Sequence, residues 1–180
     1  MDTKNLLLDE GVDLINKAIY FHGPIESNFC FLIRTRILLL RETIKLDLIK
    51  EVNLYIDSNG GDLAAVLATL DYFNLILARN GVKVNIIAER CCYSAALVLL
   101  AGTTGKRYST PSTLFMYHEF ESKMESLTIN ELINDRVKTI LSKTLILANS
   151  NLIFSCLNKT NYYFNSTEAL EREVVDEILC

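Results

Sequence analysis

Val52-Asn-Leu-Tyr-Ile-Asp-Ser-Asn-Gly-Gly-Asp-Leu63 is the stretch whose reading decides the fold. Val52 to Asp57 is a short β-prone run, two glycines end it, and from Leu63 to Ala78 apolar residues repeat at helical spacing. A strand, a sharp turn and a helix therefore follow one another with almost no linker. The Gly60-Gly61 turn can present free backbone N–H groups at the C-terminal end of the strand, where they suit an anion or a carbonyl oxygen. It matches neither the GxxxxGK[ST] of a phosphate loop nor the GxGxxG of a dinucleotide site, which disfavours nucleotide binding.

The same alternation continues on both sides. Ala18-Ile-Tyr-Phe-His22, Val82-Lys-Val-Asn-Ile-Ile87 and Leu114-Phe-Met-Tyr-His118 are further strand candidates, bounded by Gly, Pro, Asn or Ser. Asn28 to about Leu48, Ala95 to Ala101 and Leu132 to Leu147 carry helical spacing. Strands separated by helices imply right-handed βαβ crossovers and a largely parallel sheet covered on both faces, an α/β domain. With no repeat and no Pro/Gly/Ser-rich linker, residues 1–180 are expected to form a single domain. Ile129 to Asn149 is expected to be one long amphipathic helix, followed by the apolar Leu152-Ile-Phe154 without an intervening strand. Such a segment is either a helical cap or an arm that packs against another subunit.

Composition narrows the function classes. A net charge of -4 with no block of like charge argues against a surface built for nucleic acid or anionic lipid. The longest apolar runs fall far short of the roughly 20 residues that cross a bilayer, so a soluble protein is expected. Met1-Asp-Thr-Lys-Asn5 lacks the features of a secretory signal. The five cysteines suit neither a disulfide framework nor a CxxC metal site, and two histidines, His22 and His118, make a histidine-rich site improbable. Neither metal nor cofactor is expected. A thiol nucleophile at Cys91 or Cys92, activated by His118, is a minor alternative.

Three separated motifs resemble the proteolytic subunits of the Clp protease family. Leu54-Tyr-Ile-Asp-Ser-Asn-Gly-Gly61 is similar to that family's strand ending in Ser-Pro-Gly-Gly. Ala101-Gly-Thr-Thr-Gly-Lys-Arg107, followed by Pro111, Met116 and His118, is similar to its Ala-Gly-x-x-Gly-Lys-Arg to Met-x-His segment. Ser166-Thr-Glu-Ala169 with Val175-Asp-Glu-Ile178 resembles its closing stretch, and Ala18 to Glu26 its first strand and turn, so the likeness runs from about residue 15 to 179. The resemblance implies a ClpP/crotonase-like fold: a mostly parallel sheet with flanking helices, a head at about 15–118 and 150–180, and a protruding helical handle at about 122–149.

In that family a serine, a histidine and an aspartate form a triad, and backbone N–H groups after the Gly-Gly turn and after the serine form the oxyanion hole. Carried onto this chain, the histidine is His118 and the oxyanion-type turn is Gly60, Gly61 and the segment at Ser94. The serine position, counted nine residues back from Gly102 without a gap, is Tyr93. The aspartate position, four residues before Ser166, is Tyr162. A tyrosine at either place cannot do the work of the residue it replaces. The approach is also bulkier, with Glu89-Arg-Cys-Cys92 in place of small residues.

The expectation is therefore a non-catalytic ring subunit similar to the family's R-type (ClpR) members. The alternative is an active serine endopeptidase using Ser94 and His118, which needs a one-residue slip that turns the side chain by about 100° on a helix. Asn161 would orient His118 only after a second slip. A third reading, an acyl-CoA enzyme of crotonase type, is disfavoured by the Gly-Lys-Arg to His118 match. The resemblance further implies a seven-membered ring, homo-oligomeric or mixed with catalytic sisters, an AAA+ Clp unfoldase as partner, and a plastid or plastid-derived organelle; a bacterial or phage cytoplasm is the alternative.

Overall fold

One long strand, β4 (Lys83–Tyr93), is the spine of the molecule. In the computed structural model, which describes residues 9–43, 49–118, 127–146 and 160–179, its Val-Asn-Ile-Ile-Ala stretch is buried on both faces, as a strand in the middle of a parallel sheet must be. On one side β4 pairs in parallel with β3 (Glu51–Ser58), which pairs with β2 (Ala18–His22), itself edged by the short antiparallel β1 (Val12–Asp13). On the other side β4 serves two partners. Ile86 to Ala88 pair with β5 (Arg107–Ser109), and Cys91 to Tyr93 pair with β6 (Leu114–Tyr117). Outside β5 lies β8 (Glu177–Ile178), and antiparallel to β6 lies β7 (Tyr162–Asn165). The expected α/β class with a mainly parallel sheet is what the chain forms.

The helices lie between the strands as the crossovers require. Helix α1 (Phe29–Thr43) links β2 to β3, and α2 (Leu63–Asp71) opens directly after the glycine turn, capped by Asp62, whose carboxylate accepts the Ala65 N–H at 3.0 Å. The chain then widens into a π-helical stretch, Tyr72–Leu77, and one 3₁₀ turn, Ala78–Asn80, which ends at Gly81 in the left-handed conformation. Helix α3 (Ala95–Gly102) has no polar face, and all eight residues are buried. Each of its large side chains contributes about 1.5–3 kcal/mol by leaving water, so a charge at any of Leu97 to Leu100 would break the core. Gly102 lets α3 approach its neighbours: a Cβ there would sit 2.6 Å from Leu70 of α2 and 3.2 Å from Ile140 of α4 (Leu127–Leu141).

The expected arm, a single helix from Ile129 to Asn149, is shorter than that: α4 ends at Leu141, and residues 142–146 run on as turns. Val137, Ile140 and Leu141 are buried, whereas Leu132 is 66% exposed. Positions 147–149 of that arm, Leu152-Ile-Phe154, and the expected continuation of the first helix through 44–48 lie outside the described residues. The last helix, α5 (Ser166–Glu171), is capped by Asn165, whose side chain accepts the Glu168 N–H at 3.0 Å. No helix among the described residues is long and apolar enough to cross a membrane.

Candidate active site

The strand ends of β3, β4 and β6 converge on one residue. Ser94 follows the last residue of β4 and precedes α3, with φ +53 and ψ -113, a conformation that non-glycine residues avoid and that persists only where surrounding structure imposes it. The chain reverses there from strand to helix within one residue. The Ser94 N–H donates to the Met116 carbonyl at 2.8 Å, which ties the bend to β6. Ser94 itself is only 6% exposed.

Gly60 packs directly against this bend. A Cβ at Gly60 would lie 2.9 Å from the Ser94 Cβ, 2.6 Å from the Tyr93 carbonyl oxygen and 3.1 Å from the Ala95 nitrogen. Gly60 and Gly61 have φ +85 and +144, so each is in a region that favours glycine. Ile25 pins the turn: its N–H donates to Gly60 and its carbonyl accepts from Asp62, both at 2.8–2.9 Å. In such a parallel bridge the N–H of Gly61 points out of the ladder. The Ala95 N–H, first in α3, has no acceptor within its own helix. The Gly61 and Ala95 N–H groups thus take no part in the bridge or the helix ladder on either side of the Gly60–Ser94 contact.

Register places the other candidates. Tyr93 pairs with Met116 and Met116 with Tyr163, so these three side chains share one face, and the rings of Tyr93 and Tyr163 meet edge to face with centroids 6.0 Å apart. The opposite face carries Cys92, Phe115, Tyr117, Tyr162 and Phe164, all buried. Tyr162 belongs to that core face. It stacks on Phe164 with centroids 5.5 Å apart, and its hydroxyl donates to the Glu168 carboxylate. The ladder pairs Tyr117 with Tyr162. His118 and Asn161 each lie one residue beyond this last pair, and the Asn161 amide donates to the Tyr163 hydroxyl at 3.2 Å. Of the residues expected from sequence, the fold packs Gly60 of the Gly60–Gly61 turn against Ser94, and His118 follows β6 two residues after Met116, whose carbonyl accepts the Ser94 N–H. Tyr93 flanks Ser94, and Tyr162 turns to the core face.

The thiols offer poor nucleophiles. Cys92 is fully buried, and burial pushes its thiol far up. Burial, then the adjacent Asp57 carboxylate, push the Cys91 thiol up to about 11, so it stays protonated near neutrality. Missed by sequence reasoning was the polar cluster around Asp57, where His22, Arg90 and Cys91 all donate to one carboxylate.

Comparison with known proteins bears on the chain as a whole. The family model described as Clp protease matches residues 12–180. The ATP-dependent Clp protease proteolytic subunit of Carsonella ruddii (strain PV) is 28% identical over 189 aligned residues, covering 98% of this chain and 93% of that one. The protein of the same description from Dehalococcoides mccartyi is 29% identical over 185, covering 99% and 86%.

Proposed function

Because the chain belongs to the Clp protease family and is a ClpP-like proteolytic subunit, we propose that it is a working serine endopeptidase with Ser94, not Tyr93, as its nucleophile. The observation that carries this reading is the backbone of Ser94, strained at φ +53 and seated against Gly60. A nucleophile on a strand-to-helix bend projects its hydroxyl beyond the sheet and keeps the next N–H free for the oxyanion. The count that selects Tyr93 runs back from Gly102 along α3. With Ser94 as nucleophile, which the helix directly follows, Gly102 lies eight residues on, one fewer than the count that selects Tyr93.

The same reasoning moves the third member of the triad. The residue that caps α5 is Asn165, not Ser166, and four positions before the cap stands Asn161, one residue beyond the last β6–β7 pair, as His118 is on the other strand. Ser94 Oγ attacks the scissile carbonyl while His118 takes its proton, and the N–H groups of Gly61 and Ala95 receive the oxyanion. His118 then returns the proton to the departing amine, and water repeats the sequence on the acyl-enzyme. Asn161 fixes the imidazole through its amide, as an asparagine does in Cys-His-Asn sites, without adding negative charge. Substrates are unfolded polypeptides in this proposal, delivered by an AAA+ Clp unfoldase to a ring built from this chain, alone or with sister subunits.

A fluorophosphonate probe tests the reading. Labelling on Ser94, lost in Ser94→Ala, together with hydrolysis of a fluorogenic peptide, is the expected result. An assembled protein that neither labels nor hydrolyses would instead favour the non-catalytic R-type reading.

A further inference from the structure

Strands β3 and β4 pair residue for residue from Glu51 and Lys83 to Ile56 and Ala88, and pair again at Ser58 and Cys92. A single residue of β3, Asp57, therefore stands opposite three of β4: Glu89, Arg90 and Cys91. Such a bulge leaves backbone groups without ladder partners and bends the strand that carries it. Here the bend lies just upstream of Ser94.

Asp57 fills the gap. Its carboxylate accepts the Cys91 N–H at 3.3 Å, the Cys91 thiol at 3.0 Å, the Arg90 Nε–H at 2.9 and 3.2 Å, and faces His22 Nδ1 at 2.8 Å. The Cys91 thiol is also 3.2 Å from the Asn59 side-chain oxygen. The residue is 8% exposed, so its charge persists only because donors surround it. Burial alone would raise its pKa, but hydrogen bonds from Cys91, Arg90 and His22 outweigh that and hold the carboxyl below the usual range. The backbone of the same segment continues straight into the glycine turn, where Ser58 Oγ accepts the Gly60 N–H at 3.1 Å. One carboxylate thus grips β4 before the bend while its own strand leads to the turn packed against that bend.

We propose that Asp57 is a positioning residue for Ser94: by holding the Glu89–Arg90–Cys91 bulge it fixes the register between the nucleophile and the Gly60–Gly61 turn. This rests on Ser94 being the nucleophile. A displacement of about 1 Å between nucleophile and oxyanion donors can lower the rate about 100-fold, and no contact of Asp57 with substrate is required.

The test uses the assembled protein. Asp57→Asn keeps the shape but turns one acceptor into a donor facing other donors. Fluorophosphonate labelling of Ser94 should slow by about tenfold or more, with kcat falling and KM changing less than about twofold. The Cys91 thiol, freed from its carboxylate, should at the same time react faster with iodoacetamide at pH 8, read at the Cys91 peptide by mass spectrometry. If Asp57→Asn does not fold, Cys91→Ala and Cys91→Ser carry the test: the serine variant, which keeps a donor, should label faster than the alanine variant. Wild-type labelling rates in both Asp57→Asn and Cys91→Ala, with wild-type protein labelled at Ser94, would overturn the positioning role and leave the nucleophile standing. Wild-type protein unlabelled at Ser94 would overturn both.

Discussion

At Ser94 the energetic interest of function and that of folding oppose each other. A non-glycine residue at φ +53, ψ -113 costs on the order of 1–3 kcal/mol, and glycine carries almost none of that cost. Ser94→Gly is therefore expected to raise stability by about 1 kcal/mol in urea unfolding while abolishing probe labelling; a destabilised glycine variant would show that the bend is not strained. Gly60 is the mirror case, since any Cβ there collides with the Tyr93 carbonyl. A second contrast separates Asn161 from its neighbour. Asn161→Asp puts a carboxylate against the imidazole and should raise kcat by about tenfold or more, because a charged partner stabilises the imidazolium that forms in the transition state. Tyr162→Phe removes a buried hydroxyl and should cost about 1 kcal/mol of stability with little change in kcat. Peptide hydrolysis that answered to Tyr162 and not to Asn161 would reverse the assignment.

Among the elements, those that present a strong period or a run of β-branched residues were legible from the chain alone: β2, β3, the first half of β4, β6, α2 and α3. The second half of β4 was not, because Glu89 and Arg90 look like loop residues and are strand residues only through the Asp57 bulge. Strand β5 is three residues long and β8 two, short enough that only pairing with a neighbour defines them. Alternation in Tyr162-Tyr-Phe-Asn165 could have revealed β7, and with it the core facing of Tyr162. The edge built from β5 and β8 also carries an acid-sensitive link. Arg107 donates to both carboxylate oxygens of Asp176 and, through its backbone N–H, again at 2.8 Å. Burial raises the Asp176 pKa, but the Arg107 bonds outweigh it and hold the group below its ordinary 3.8. With the folded value depressed, this contribution is fully present above the unfolded value and is lost as pH falls below about 4. Asp176→Asn should therefore lower stability at pH 7 and flatten its loss between pH 4 and 2. Parallel stability curves for variant and wild type would show that the pair contributes nothing.

For the whole molecule, the question is what covers the apolar surface that a single chain leaves in water. Phe31 is 74% exposed and Leu38 46%, and seven residues apart on α1 they lie two turns from each other on one face. Their helix already buries Phe29, Ile33, Ile37 and Leu40 on its other side, so among the described residues the outer pair lies outside the core. An exposed aromatic is the kind of residue that anchors a subunit contact, and losing such an anchor costs about 2 kcal/mol or more, a weakening of roughly 30-fold in association. The ring in the proposed function supplies a cover for it. Light scattering should accordingly give the wild-type protein a mass several times that of the 20.4 kDa chain, and Phe31→Glu should shift it toward the monomer while circular dichroism stays unchanged. Because the bend at Ser94 is built within one chain, a monomeric Phe31→Glu variant that still labels would separate folding of the site from assembly of the ring. A wild-type protein that stays monomeric at high concentration would remove the ring from the proposal and leave α1 in need of a different partner.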